Sequence, residues 1–426
     1  MIITTLASTI TITMDYFYIA TILVAFAAIF GYINVRFLKL PNTIGLMLVT
    51  IVFTFAVMAF SHINPTLLNA EKYIISQIDF KTVLLDVMLS FMLFAGALHT
   101  NFNQLKVQRG PVLAFSTIGV LFSTLFVGIF MYYVFHFFTM DISFIHCLLF
   151  GALISPTDPI AVLGILKKAK VPKKLEAKIV GESLFNDGVG VVVFLTIYEI
   201  ASQGKEEITL THVASLFAQE VFGGIALGLL LGWITYRLMK SIDDYDIEVI
   251  ITLAAVMLGS AIAHYFHLSA PLAMVTAGLV VGMDTVRNNA MSEITEGYVD
   301  KFWELIDILL NTILFVLIGM EMLVLNFENN YLLVALFSIP IVLLCRYASL
   351  SAPITFFKKR LNFVPKTNLI MTWGGLRGGI SIALALGLTE SMHRDLFLVI
   401  TYVIVVFSIL IQGLTVGKLV KKLNVS

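Results

Sequence analysis

The chain has 426 residues, of which 59% are hydrophobic and only 13% charged, with a mean hydropathy of +0.96. Soluble domains carry roughly 25% charged residues, so a water-soluble fold is excluded. Basic and acidic residues balance at 27 each, which leaves no positive excess to attract nucleic acid, and none is expected as a partner.

A membrane-crossing helix needs about 20 mostly apolar residues. Thirteen segments meet that requirement, near 16–35, 40–60, 80–99, 111–136, 144–166, 176–200, 212–236, 248–266, 269–283, 301–323, 331–357, 369–388 and 395–417. No basic stretch precedes the first, so it reads as a retained helix rather than a cleaved signal. Only a short basic tail follows the last, and no cytosolic regulatory domain is expected. Cys147 and Cys345 both fall in apolar segments and read as small core hydrophobes.

Cytoplasmic loops of membrane proteins collect Lys and Arg. With the N-terminus outside, twenty-one basic residues fall on the cytoplasmic side (among them Lys167, Lys178, Lys358 and Lys421) and four outside: Lys72, Lys81, Lys205 and Arg394. Arg346 and Arg377 stay within spans. The expected topology is N-terminus out and C-terminus in, in a plasma membrane of bacterial or archaeal type.

Two spans carry helix-breaking sequences. The fifth contains Ile154-Ser155-Pro156-Thr157-Asp158-Pro159, where each proline lacks a backbone donor and pushes the residue before it out of helical angles. The twelfth contains Trp373-Gly374-Gly375-Leu376-Arg377-Gly378-Gly379-Ile380, and glycine weakens a helix by about 1 kcal/mol against alanine. Unwound backbone at membrane depth is tolerated only where it is buried in protein or lines a watery cavity. The two breaks lie in helices running in opposite senses, which suggests inverted repeats (spans 1–6 against 8–13) with the substrate site where they meet.

The sixth span contains Gly181-Glu182-Ser183-Leu184-Phe185-Asn186-Asp187-Gly188. A charge at the bilayer centre costs about 2.5–3.5 kcal/mol on insertion scales and marks ion or proton pathways. Ser183 and Asp187 are four residues apart and share a helical face; Glu182 and Asn186 form a second such pair, rotated about 100°. Hard cations prefer oxygen ligands, and Ser183, Asp187, Asp158 and the freed Thr157 carbonyl offer them. Asp158, Glu182 and Asp187 against Arg346 and Arg377 leave one net negative charge, which one cation or one proton neutralises. Both arginines stay charged and need partners. Glu182 suits one of them, leaving Asp158 and Asp187 for the transported ion. Asp86 and Asp307 lie in neighbouring spans and would alter this balance if they joined the site. Burial disfavours an ionised carboxylate and a neighbouring cation favours it, so a proton and a cation compete for Asp187. A purely structural buried ion-pair network is the plainer reading of Glu182, Arg346 and Arg377, and Asp158 also suits capping of a half-helix N-terminus. His62, His136, His146, His264 and His267 sit near span ends without metal-ligand spacing.

Together, Ser155-Pro156-Thr157-Asp158-Pro159-Ile160-Ala161-Val162, the 181–188 segment, Trp373 to Gly379 and Phe302-Trp303-Glu304-Leu305 resemble the sodium/proton exchangers of the first monovalent cation:proton antiporter family. The resemblance covers nearly the whole membrane region. It implies an all-α polytopic fold of 13 transmembrane helices with inverted repeats and two broken crossing helices. It implies a homodimer exchanging Na+ or Li+ for H+ by elevator-type alternating access, with no cofactor. A dimerisation domain would comprise 16–100 and 212–323, and a core ion-transport domain 111–201 and 331–420. Asp187 would carry ion and proton; Asp158, Ser183 and Thr157 would help hold the cation; Glu182 and Arg346 would stabilise the core. Asn186 in place of a second aspartate implies electroneutral one-for-one exchange. Ala95, within Leu93-Phe94-Ala95-Gly96-Ala97-Leu98, stands where many relatives are acidic, and Asp86 is too far along the helix to replace it.

K+/H+ exchange is a close alternative, since the oxygens do not separate the two cations. A cation channel fits less well, because continuous conduction disfavours a deeply buried site with paired arginines. An intramembrane aspartyl protease needs a Gly-x-Gly-Asp loop, and Gly282-Met283-Asp284 lacks it; no catalytic residues are expected.

Overall fold

The computed structural model describes residues 2–61, 82–158, 171–203, 210–322, 329–357 and 366–423. The regular elements are α1 (Ile2–Ile33), α2 (Asn42–Ser61), α3 (Leu89–Leu98), α4 (Phe102–Val107), α5 (Arg109–Ser116) and α6 (Ile118–Phe137). They continue with α7 (Phe144–Ile154), α8 (Lys173–Gln203), α9 (Leu210–Met239), α10 (Tyr245–Tyr265), α11 (Ala270–Val281), α12 (Asp284–Ala290) and α13 (Glu293–Glu321). Last come α14 (Asn329–Phe357), α15 (Thr367–Gly374), α16 (Gly379–Leu386), α17 (Arg394–Phe407) and α18 (Gly413–Lys422). Wider π-turns follow α1 (Asn34–Leu38), precede α3 (Thr82–Met88) and join α17 to α18 (Ser408–Gln412).

Helices dominate because lipid offers no partner for backbone N–H and C=O groups. The chain is an all-α, multi-pass membrane protein. Among the described residues, nine helices are long and apolar enough to cross a bilayer, and ten if α11 and α12, bent by 60°, form one span. The other segments expected to span are shorter or interrupted. Thr82–Leu98 and Phe144–Ile154 are apolar but short, and the twelfth expected span falls into the two eight-residue helices α15 and α16.

The chain divides into two compact units. One comprises residues 1–79 and 308–325. Within it the Thr54 hydroxyl donates to the Gly319 carbonyl at 2.9 Å, and the rings of Phe26, Phe30 and Phe53 cluster at 5.1–5.5 Å.

The other comprises residues 80–307 and 326–426 and holds the polar site. Small residues let its helices approach. A Cβ at Gly224, Gly228 or Gly232 of α9 would strike α11 or the residue before it, the small-residue packing typical of membrane helices. Trp303 is fully buried, packs at a tilt against Phe94 with ring centroids 4.7 Å apart, and donates its indole N–H to the Thr252 hydroxyl at 2.9 Å. Cys147 and Cys345 are buried free thiols. Ala95 is wholly buried. The Asp86 side chain and His62 lie outside the described residues, as does residue 159 onward of the fifth span up to 170.

Candidate functional site

The fifth span stops being helical at Ile154, and Ser155 to Asp158 run on without helical hydrogen bonds to their preceding turn beyond Ser155. Pro156 has no N–H to continue the ladder. The Asp158 N–H instead donates to the Leu376 carbonyl at 2.8 Å, a single antiparallel bridge to the break in the twelfth span. That second break is Gly375 to Gly378, between α15 and α16. The two unwound segments therefore touch. A Cβ on Gly378 would sit 2.7 Å from Asp158 Cβ and 2.8 Å from Oδ2, and one on Gly375 would strike the Arg346 guanidinium.

Orphan carbonyls at a broken helix end need donors. Arg377, 3% exposed, supplies them: Nη1 donates to the Ser155 carbonyl at 2.5 Å and the Pro156 carbonyl at 3.0 Å. Both arginines need partners, and Glu182 is not the one Arg377 takes. Among the described residues, no carboxylate makes an ion pair with it; backbone dipoles solvate it instead. Ser155 is also tied to α6, its hydroxyl lying 2.9 Å from Ser123 Oγ and 3.4 Å from Thr124 Oγ1.

Glu182 pairs with Arg346. Nη1 meets Oε1 at 3.1 Å and Nη2 meets Oε2 at 2.9 Å, both residues nearly fully buried. Two-pronged contacts of this kind are the strong form of a charge-assisted hydrogen bond. One turn along α8, the Asn186 amide donates to Glu182 Oε1 at 2.8 Å and to Thr157 Oγ1 at 2.8 Å, and its oxygen accepts the Thr157 N–H at 3.3 Å. On the adjacent face the Ser183 hydroxyl donates to the Thr157 carbonyl. Asp187, 5% exposed, lies one turn beyond Ser183 and within electrostatic reach of Asp158 and Glu182.

All eight residues singled out from the sequence thus gather around the two breaks. Sequence reasoning missed Ser123, Thr124, Ser408 and Gln412, whose only signal is a small polar side chain inside an apolar run. Lys178, assigned to the cytoplasmic side from the sequence, lies in the second turn of α8 and is 1% exposed.

Two touching helix breaks with a buried carboxylate beside them, in a polytopic helical protein, are the arrangement in which secondary transporters build their ion sites. The profile of the family described as "Sodium/hydrogen exchanger, transmembrane" matches residues 22–422, and the chain belongs to that family; it is a transporter, not an enzyme. The Na+/H+ antiporter NhaP of Pseudomonas aeruginosa is 46% identical over 405 residues, covering 94% of this chain and 95% of that protein. The Na+/H+ antiporter NhaH of Halobacillus dabanensis is 33% identical over 393 residues, covering 91% and 93%. The fold is shared with the solved sodium proton antiporter MjNhaP1 of Methanocaldococcus jannaschii at pH 8, with TM-score 0.75, 20% identity, and 96% and 99% of the two chains covered.

Proposed function

We propose that the protein is a secondary antiporter exchanging Na+ or Li+ for H+, one for one, with proton and cation competing for Asp187. The observation that carries this reading is the separation of charges around the breaks. Glu182 and Arg346 neutralise each other at 2.9–3.1 Å, and Arg377 is spent on two carbonyls. Asp158 and Asp187 against Arg377 then leave one negative charge for one monovalent ligand. The Ser183 hydroxyl proton lies between two of the oxygens assigned to the cation, Ser183 Oγ and the Thr157 carbonyl. An arriving Na+ turns that hydroxyl so that both oxygens face it, with Asp158 and Asp187 completing the shell. Either occupant leaves the site neutral, and only a neutral site crosses the bilayer cheaply.

The wider architecture belongs to the same proposal. Adding the bent α11–α12 pair, the two short apolar helices and the broken α15–α16 pair to the nine long helices gives thirteen in inverted repeats, N-terminus out and C-terminus in, as the basic residues favour. Helices within 111–201 and 331–420 form the moving core; those within 16–100 and 212–323 form the scaffold of a homodimer.

The test uses proteoliposomes with an acid interior, to which sodium, lithium, potassium or choline chloride is added. Gradient collapse by sodium or lithium, lost in Asp187→Asn, is the expected result. Equal collapse by potassium makes K+ the substrate, and no cation-dependent collapse at any pH overturns the reading.

A further inference from the structure

One peptide group joins the last span to the ion site. The π-turn Ser408–Gln412 interrupts the last span, and such turns are frequent at functional sites. Its first and last residues are both buried, at 0% and 3% exposure. Ser408 Oγ accepts the Arg377 N–H at 2.8 Å, and Gln412 Nε2 donates to the Trp373 carbonyl at 3.0 Å. These are orphan groups of the two half-helices, one from the end of α15 and one from the entry to α16. Serine in a membrane helix commonly bonds its own preceding turn, as Ser338 does to Val334 at 2.7 Å. Ser408 instead accepts from a different helix.

The N–H held by Ser408 and the Leu376 carbonyl that receives the Asp158 N–H belong to the same peptide group. That bond is trans, so its N–H and C=O point in opposite directions. The group is gripped by Ser408 on one side and Asp158 on the other, and each hydrogen bond polarises the next. From the same residue, the Arg377 side chain holds the carbonyls of Ser155 and Pro156. The Arg377 side chain and the 376–377 peptide therefore hold the unwound segment at Ser155, Pro156 and Asp158.

We propose that Ser408 and Gln412 are positioning residues for cation binding: they fix the twelfth-span break so that the 376–377 peptide sets the place of Asp158. Neither residue is a ligand: Ser408 acts through the peptide between Leu376 and Arg377, and Gln412 through the Trp373 carbonyl at the end of α15. The proposal rests on the antiporter reading above.

The experiment compares wild type with Ser408→Ala, Ser408→Thr, Gln412→Leu and the control Ser338→Ala in proteoliposomes, reading half-saturating Na+ and Li+ and maximal rate separately. Ser408→Ala leaves a buried N–H without its acceptor, and half-saturating Na+ rises about tenfold. The maximal rate stays within about twofold, and Li+ is affected by a different factor because the two ions fill the shell differently. Ser408→Thr, which keeps the hydroxyl, restores wild-type half-saturation; Gln412→Leu shifts it in the same direction as Ser408→Ala. Amide hydrogen exchange on the same detergent-solubilised proteins reads the brace directly, with faster exchange expected at Arg377 in Ser408→Ala. Unchanged half-saturation in active Ser408→Ala and Gln412→Leu, or unchanged exchange at Arg377, overturns the proposal. Wild-type protein that collapses no gradient overturns the antiporter reading and the coupling to transport, while the exchange measurement still decides whether the last span braces the break.

Discussion

Asn186 and Thr157 bond each other twice: the amide nitrogen of Asn186 donates to the Thr157 hydroxyl at 2.8 Å, and its oxygen accepts the Thr157 N–H at 3.3 Å. A single side chain on α8 thereby satisfies an unwound residue of the neighbouring span where no helical partner remains. Because the same amide nitrogen reaches Glu182 Oε1 at 2.8 Å, the Glu182–Arg346 pair and the unwound segment proposed to ligate the cation share one connector.

Replacing that connector separates its structural duty from the ion's charge. Asn186→Ala strands the Thr157 N–H, which costs about 1–3 kcal/mol for a buried group left unpaired, and leaves the Thr157 hydroxyl only its 3.4 Å contact with Ser183 Oγ. The variant is expected to melt earlier in detergent and to bind Na+ more weakly. Asn186→Asp keeps the acceptor and loses the donor, and sets a second acid against Glu182; it is expected to melt earlier still at neutral pH and to recover part of the loss on acidification. Melting curves of the purified variants at two pH values decide it, and unaltered melting of Asn186→Ala removes the connector role.

Glu182 and Arg346 behave as one unit. Removing either partner of a buried pair leaves an uncompensated charge, costing about 3–5 kcal/mol, whereas replacing both with apolar residues is often neutral. Glu182→Ala and Arg346→Ala should each melt far earlier than wild type, and Glu182→Leu/Arg346→Leu should melt later than either single variant. A double variant no more stable than the worse single one would show that each residue has separate partners that matter more.

Both breaks were legible in the sequence because Pro156 and the glycines around Arg377 act on their own backbone, a local effect. The pairing of Ser183 with Asp187 and of Glu182 with Asn186 on two faces of α8 was equally local, following from a spacing of four. What the sequence did not disclose is set by contacts between distant segments. Glu182 and Arg346 are 164 residues apart, and only the family resemblance, not the residues around either arginine, pairs the acid with Arg346. Arg377 takes carbonyls, a solution that no side-chain inventory contains. The π-turn at Ser408 depends on packing against the twelfth-span break.

The proposed competition at Asp187 fixes the sign of the pH response. Below the ionisation range of the site, each proton bound excludes a cation, so half-saturating Na+ should rise about tenfold per unit fall in pH while the maximal rate holds. Above it, half-saturation should become independent of pH and the rate should fall, because the proton half of the cycle is starved. Counterflow of labelled Na+ across a pH series, fitted separately for rate and affinity, measures this. A rate that falls on acidification at saturating Na+, with affinity constant, would falsify direct competition.

Gly378 offers a geometric test of the crossing itself. A methyl group there would lie 2.7 Å from Asp158 Cβ and 2.8 Å from its Oδ2, closer than real Cβ atoms approach, and Asp158 is also held through its backbone by Leu376. Gly378→Ala must therefore displace either the half-helix α16 or the carboxylate. Gly297 is the contrast: it is exposed in α13, with nothing within 4 Å of an added Cβ, and alanine there should stabilise the helix by about 1 kcal/mol. Transport is expected to be lost or to need far higher Na+ in Gly378→Ala, and to be unchanged in Gly297→Ala. Gly378→Ser, only slightly larger, should match Gly378→Ala rather than rescue it, since the obstruction is the Cβ. Wild-type Na+ affinity in a folded Gly378→Ala protein would mean that the two broken helices do not approach this closely while the ion is bound.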